Sequence, residues 1–180
     1  MDFAILDFIQ EHMRCAFLDK VLPVITNLGS AYVAVAITLI LIAFKKTRRI
    51  GIETLIALLI KLLMINVILK NLVARDRPCW INESVDMLVR IPKDYSFPSG
   101  HSGATVLIGT VVTCHNKKAG IPILIMAFIV MFSRLYLYVH FPTDVLAGAL
   151  IGMTLGLLVV YCTRKFLEKH ELHADGNSLE

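Results

Sequence analysis

The feature that most constrains this chain is a series of apolar runs too long for the surface of a small soluble domain. Residues 31–44 contain no charged side chain, and that stretch is the strongest part of a run covering 21–44. Comparable runs cover 51–72, 121–139 and 144–166, with a shorter one, rich in small residues, at 100–114. Of the 180 residues 57% are hydrophobic and 18% charged, whereas ordinary soluble domains are about a quarter charged. A domain of this size has too little interior to hide so much apolar surface from water. A bilayer solvates it instead, and about 20 apolar residues in a helix cross its hydrocarbon core. The expected fold is therefore all-α. One membrane-embedded domain over 1–170 forms a polytopic transmembrane bundle of about five spans, and 171–180 is a polar, disordered tail.

The first residues read differently. Phe3, Ile5, Leu6, Phe8, Ile9 and Met13 recur at near-helical spacing among Asp2, Asp7, Gln10 and Glu11. That pattern predicts an N-terminal amphipathic helix, too short and polar to span, lying in the interface against the bundle. The same polar residues break any apolar signal-peptide core, so no cleavable leader is expected.

With five spans, the segments 45–49, 115–120 and 164–169 share one side and carry Lys45, Lys46, Arg48, Arg49, Lys117, Lys118, Arg164, Lys165 and Lys169. The opposite side mixes cations with Asp2, Asp7, Glu11, Asp76, Glu83, Asp86 and Asp94. The positive-inside rule then places the C-terminus in the cytoplasm and the 73–99 loop outside. Gly148, Gly152 and Gly156, four apart, predict a face that packs closely on a neighbouring helix, with dimerisation as the alternative. Cys15, Cys79, Cys114 and Cys162 show no metal-ligand spacing. Cys15 and Cys79 fall on one side, and a disulfide between them is left open. Lys61 lies mid-span, read as an internal structural pair or a side chain snorkelling to the cytoplasm, with a substrate or proton path as the alternative. The 79–97 loop mixes Trp80, Met87, Leu88 and Ile91 with charges, and reads either as a lid or as an ordered cover.

Alternation of span direction brings three polar clusters to one membrane face. Lys70 and Arg77 are seven residues apart, so a continuing helix would present both on one side. Together with Arg134 they make three cations at one mouth, an arrangement that calls for an anion. Arg offers a planar fork for phosphate oxygens and Lys a point charge. Ser99 is suited to cap the helix that begins at Gly100, aiming free N–H groups at an anion. His140 can attack phosphorus while Asp144, one turn on, holds its ring. His101 is then free to protonate the leaving oxygen. Each residue alone has an ordinary structural reading as a cap or a snorkelling cation. Together they form a complete set for phosphoryl transfer.

The pattern resembles the type 2 phosphatidic acid phosphatase superfamily, whose members include undecaprenyl-diphosphate phosphatases, phosphatidylglycerophosphate phosphatases and the soluble vanadium haloperoxidases. That family's signature is Lys, six residues, Arg-Pro; then Pro-Ser-Gly-His; then Ser-Arg, five residues, His, three residues, Asp. Here it reads Lys70 to Arg77-Pro78, Pro98-Ser99-Gly100-His101, and Ser133-Arg134 to His140 and Asp144. The resemblance implies His140 as nucleophile, Asp144 as its orienting carboxylate and His101 as general acid. It implies Lys70, Arg77, Ser99, Gly100 and Arg134 as the phosphate cradle, with no metal and no cofactor. The implied partners are a membrane lipid phosphate and the bilayer, not nucleic acid, with a homodimer left open. The expected activity is hydrolysis of a lipid phosphate or diphosphate through a phosphohistidine at the outer face of the cell membrane, undecaprenyl diphosphate being the leading substrate. Phosphatidylglycerophosphate or phosphatidic acid hydrolysis and lipid phosphotransfer are alternatives, and a non-catalytic lipid transporter is the contrasting reading.

Overall fold

A computed structural model describes residues 2–176, with side chains described through Lys169. The described residues are helical, in the order α1 (Asp2–His12), α2 (Ala16–Ile25), a 3₁₀ turn (Thr26–Gly29), α3 (Ala31–Ala43) and α4 (Arg48–Lys61). A π-helical stretch (Leu62–Leu69), α5 (Lys70–Val73), α6 (Pro78–Ile81), α7 (Gly100–His115), α8 (Lys117–Tyr136) and α9 (Pro142–Gly176) follow. The tail expected at 171–180 lies outside the residues whose side chains are described.

Three segments are long and apolar enough to cross a membrane: Arg48–Ile81, Lys117–Tyr136 and Pro142–Lys169. The pair Ala16–Gly29 and Ala31–Ala43, bent by 53°, makes a fourth if both halves belong to one span. The expected five-span bundle is thus three or four segments by length and composition. Two local causes account for the difference. The 21–44 run is broken where Ser30, in extended conformation, accepts from Val33 N and caps α3. The 100–114 run becomes α7, only 16 residues long and buried from Ser102 to Val112. Other helices surround it, which is why its residues are small.

Helix α7 is the axis of the molecule. Its core contacts are Leu107, Ile108, Val111 and Val112, packed with Ala57 of α4 and Leu155, Val159 and Val160 of α9. The glycines of α9 make this approach possible. A Cβ on Gly148 would lie 2.3 Å from the Ser99 carbonyl oxygen, and one on Gly152 would lie 2.2 Å from that of Gly103. The glycine face is therefore used within the chain, against α7. At the far end of α7, buried Glu53 joins α4 to α7 and α9: it accepts from Arg49 (3.0 Å) and Thr163 (2.7 Å) and meets His115 Nε2 at 2.5 Å.

Helix α1 lies on the other end of the bundle. Leu6 and Ile9 are buried with Leu22, Tyr136, Leu137 and Phe141 in a second apolar cluster. Tyr138 donates to Asp7 at 3.0 Å, and Gln10 donates to the Tyr136 carbonyl at 2.8 Å. Its opposite face leaves Phe8 exposed. Cys15 and Cys79 are both free thiols.

The α7–α9 contact yields a stability prediction. Gly152→Ala forces two backbones apart, an overpacking change that costs about 1–3 kcal/mol. Thermal unfolding in detergent should show a lowered Tm for Gly152→Ala and little change for Leu150→Ala on the exposed face of the same helix.

Candidate active site

The end of the bundle that carries α1 also gathers the polar residues, and the backbone explains how. Helix α5 stops because Ala74 adopts a left-handed conformation, φ 47° and ψ 42°, which is unfavourable for a residue with a Cβ. The chain turns there, and Arg77 returns in extended conformation ahead of Pro78 at the start of α6. Lys70 and Arg77 therefore do not share a face of one continuing helix, as their spacing suggested; a break and a return bring them together. Ser99 caps α7, its hydroxyl accepting from Ser102 N at 3.5 Å and from Ser102 Oγ at 3.0 Å. Its own N–H donates to the Asp144 carbonyl at 3.0 Å, which ties the start of α7 to the first turn of α9. Pro142 opens α9 and leaves His140 in the short connection from α8.

His140 is fully enclosed, and its two ring nitrogens face different partners. Nε2 is 3.2 Å from Arg77 Nη1. Arg77 can only donate, so Nε2 carries the lone pair and Nδ1 the proton in the neutral ring. Nδ1 is 3.3 Å from Ser96 Oγ and 3.6 Å from Asp144 Oδ2. The second distance is too long for a hydrogen bond. Ser96 stands between the two, donating to Asp144 Oδ2 at 2.5 Å while accepting from the ring. Burial first, then the charges of Arg77, Arg134 and Lys70, push the His140 imidazole well below its ordinary pKa. It is neutral at physiological pH.

Asp144 is itself held on every side. Oδ2 accepts from Phe141 N at 2.9 Å, and Oδ1 accepts from Arg75 Nη1 at 2.7 Å. Arg75 also donates to Thr143 (2.7 Å) and Asp2 (2.8 Å) and lies over the Phe141 ring at 4.0 Å. Helix α1 thereby supports the carboxylate through Asp2.

Arg134 is 6% exposed. Its Nη1 donates to Thr26 of the 3₁₀ turn at 2.8 Å, and its Nε is a buried donor without a partner among the described residues. An orphaned buried donor is unfavourable by about 1–3 kcal/mol and calls for an explanation. His101, on the first turn of α7, packs against the same turn: a Cβ on Gly29 would lie 3.0 Å from its ring. The charges of Arg134, Lys61, Lys70 and Arg77 all act on His101, and His101 acts on His140.

The 82–97 loop closes the arrangement with residues that no spacing rule singled out. Asp94 takes ion pairs from both Lys70 and Arg77, the second at 2.8 Å, and its backbone carbonyl accepts from Arg77 Nε at 2.6 Å. Burial acts to raise the Asp94 pKa, but the hydrogen bonds and charges of Lys70 and Arg77 outweigh it and hold the carboxyl down to about 2. Trp80 anchors the loop by donating to the Pro92 carbonyl at 3.1 Å. Of the eight residues assigned to the site by sequence, Lys70, Arg77, Ser99, His140 and Asp144 are linked through hydrogen bonds, ion pairs or shared partners, while Arg134 and His101 meet at the 3₁₀ turn. Gly100 faces Lys61 and Asn66: a Cβ placed there would lie 3.5 Å from Lys61 Nζ and 3.9 Å from Asn66 Oδ1. Sequence reasoning missed Ser96, Asp94, Arg75 and Thr26. Ser96 and Asp94 had a signal only in their closeness to the Pro-Ser-Gly-His turn. No group of three or more His, Cys, Asp or Glu residues among those described could hold a metal ion.

An apolar helical bundle that buries a neutral histidine, a fixed carboxylate and several cations at one end has the features of a membrane phosphatase. Comparison with known proteins identifies the lineage: the chain belongs to the PAP2 superfamily, whose family model matches residues 51–168. It is 35% identical over 152 residues to a protein named undecaprenyl-diphosphatase from Sulfolobus acidocaldarius, covering 82% of this chain and 71% of that one. It spans about half the length of several other curated relatives, such as the undecaprenyl-diphosphatase of Bacillus subtilis, at 49%. Among solved structures, LpxE of Aquifex aeolicus superposes with a TM-score of 0.79 at 28% identity, covering 89% of this chain and 94% of that one. A PAP2-type phosphatidylglycerolphosphate phosphatase from Bacillus subtilis superposes with a TM-score of 0.77 at 30% identity, covering 91% and 85%.

The placement of Asp94 gives the next prediction. Its carboxylate holds Lys70 and Arg77, two of the cations expected from the sequence to bind phosphate, so Asp94→Asn should tighten binding of orthovanadate by several-fold, read by calorimetry on the purified protein. The same ion pairs set a pH dependence. A carboxyl depressed from 3.8 to about 2 stabilises the fold fully above about pH 4, and that contribution is lost as pH falls toward 2. Asp94→Asn should flatten Tm in that window.

Proposed function

We propose that this protein is a metal-independent lipid phosphatase that works through a phosphohistidine at His140. The observation that carries the reading is a neutral His140, its Nε2 lone pair turned to Arg77, together with Arg134, whose charge acts on the same ring and whose buried Nε has no partner among the described residues. Lys70, Arg77 and Arg134, with the N-terminus of α7 at Ser99 and Gly100, form the cradle for the phosphate oxygens.

In the first step His140 Nε2 attacks phosphorus, the bond from phosphorus to the leaving oxygen breaks, and His101, which takes up a proton once the bound phosphate offsets the surrounding cations, gives it to that oxygen. Arg77 turns its donor from Nε2 to a phosphate oxygen as the lone pair is used. The positive charge that forms on the ring is stabilised by Asp144, directly and through Ser96. In the second step water attacks the same phosphorus, His101 takes the water proton, and the nitrogen–phosphorus bond breaks to release inorganic phosphate. No step needs a Lewis acid, because the cradle supplies the positive charge.

The substrate reading is an isoprenyl diphosphate of the undecaprenyl type. It draws on the name of the Sulfolobus relative and on the apolar surroundings of the site. The distribution of loop charge supports a site at the outer face of the cell membrane with the C-terminus in the cytoplasm.

Purified protein in detergent, given a panel of lipid phosphates and diphosphates, should release phosphate undiminished by EDTA. His140→Ala should lower turnover by about four orders of magnitude or more, as loss of a nucleophile does. His101→Ala should also lose turnover and leave acid-sensitive, base-stable phosphate on the protein after quenching. Activity abolished by the chelator, or retained in His140→Ala, would overturn the mechanism.

A further inference from the structure

One buried ion has no part in the scheme above. Lys61 is 8% exposed in the middle of a membrane-crossing segment. Among the described residues its only hydrogen-bond partner is Asn66 Oδ1, at a long 3.4 Å, and no carboxylate pairs with it. Its side chain does not run toward the basic end of the bundle. It lies along the first turn of α7: Cε is 3.4 Å from a Cβ placed on Gly103, and Nζ is 3.5 Å from one placed on Gly100. A helix N-terminus carries partial positive charge, so a cation there is repelled by the dipole as well as stripped of water. Structural packing alone gives no reason for a charge in that place.

The helix backbone is built to put it there. Lys61 and Lys70 are nine residues apart, which at 100° per residue leaves them on opposite faces of an α-helix. The stretch between them, Leu62–Leu69, is π-helical. An i→i+5 ladder turns by only about 80° per residue, and nine such steps make about two full turns. Both lysines therefore share one face of the segment and are buried, as is Ile65 between them. Beside Lys61 a cavity of about 150 Å³ opens between α3, α4 and α7, lined by Ala34, Leu55, Leu58, Leu62 and Ala104. Its rim residues Leu55, Leu59 and Leu62 are exposed on the apolar belt of the bundle.

We infer that Lys61 and Asn66 form a second anion subsite, which holds the lipid-linked phosphate of a diphosphate while its terminal phosphate occupies the cradle beside His140. The lipid chain lies in the apolar cavity, its first phosphate meets Lys61 at the cavity's upper end, and the second extends past Gly100. Gly100 of the cradle adjoins both groups of the subsite: a Cβ placed on it would lie 3.5 Å from Lys61 Nζ and 3.9 Å from Asn66 Oδ1. Lys61 thus selects diphosphates over single phosphates. The inference rests on the cradle proposed above and specifies the substrate class of that same site.

Direct binding separates this claim from the proposed turnover. Calorimetry on the full chain in detergent compares methylenediphosphonate, which cannot be hydrolysed at its bridge, with inorganic phosphate. The wild type should bind the diphosphonate at least tenfold more tightly. Lys61→Gln should remove most of that preference, and Lys61→Arg should keep it. Equal affinity of the two anions for the wild type would overturn the inference without any variant. So would a preference that survives in a folded Lys61→Gln protein, or a loss equal for both anions. A wild type that prefers diphosphonate yet releases no phosphate from lipids would leave the subsite standing and sink the phosphatase mechanism.

Discussion

Positive charge without enough negative charge to match it governs this structure. Lys70, Arg77 and Arg134 are buried at one end of the bundle, and Lys61 is buried against the first turn of α7. Asp94 and Asp144 are the carboxylates that face the same region, and Asp144 is already held by Arg75. Isolated ions in a low-dielectric interior are strongly unfavourable, and pairing only partly offsets that. The rest of the fold can be understood as what keeps these cations from escaping to water. Glycines on α9 let α7 sit close beneath them, Ala74 turns the chain so that Arg77 points inward, and the 3₁₀ turn at Thr26 holds Arg134. A bundle stabilised by its apolar contacts elsewhere can tolerate such a cluster, and binding an anion relieves it.

The same excess explains the state of the histidines. His140 does not have to be deprotonated by a strong base, because burial and its cationic neighbours already keep it neutral. What the ring needs is orientation. That comes from a chain of contacts reaching from the ring to Ser96, from Ser96 to Asp144, from Asp144 to Arg75, and from Arg75 to Asp2 on α1. The N-terminal helix, which looks peripheral by its amphipathic pattern, is therefore the outermost support of the proposed nucleophile. A hydroxyl between imidazole and carboxylate also lets the ring move slightly as charge develops without breaking the chain.

Much of the site was legible because its chemistry depends on residue type at fixed spacing. His140 and Asp144 are one turn apart across a proline, and Ser99 stands directly before a run of small residues; both placements follow from local backbone rules. Membrane residence was equally legible, since runs such as 31–44 admit no other solvent. What stayed hidden depends on backbone departures that carry no compositional signal. Nothing in Leu62–Leu69 announces a π-helix, yet it decides which way Lys61 faces. Ala74 is an ordinary helix former that here ends a helix, so the seven-residue spacing of Lys70 and Arg77 suggested the correct neighbours for the wrong reason. Length and composition give three or four candidate spans rather than five because the 100–114 run becomes α7, only 16 residues long and enclosed by other helices, surroundings that hydropathy does not distinguish from lipid.

Asp94 shows how a loop can belong to a site without belonging to its motifs. Its side chain is half exposed, yet it satisfies Lys70 and Arg77 together, as a phosphate would. A carboxylate has fewer oxygens and less charge than a phosphate, so it is a weaker occupant of the same cradle. In the proposed mechanism such an occupant would lower the electrostatic strain of the cations between turnovers and be displaceable from the water side. The lipid, in contrast, would arrive from the apolar cavity beside Lys61. Water-facing carboxylate and membrane-facing substrate thus approach the cradle from different directions. Entry of one need not wait for the path of the other to clear, and the displaced loop has solvent into which to move.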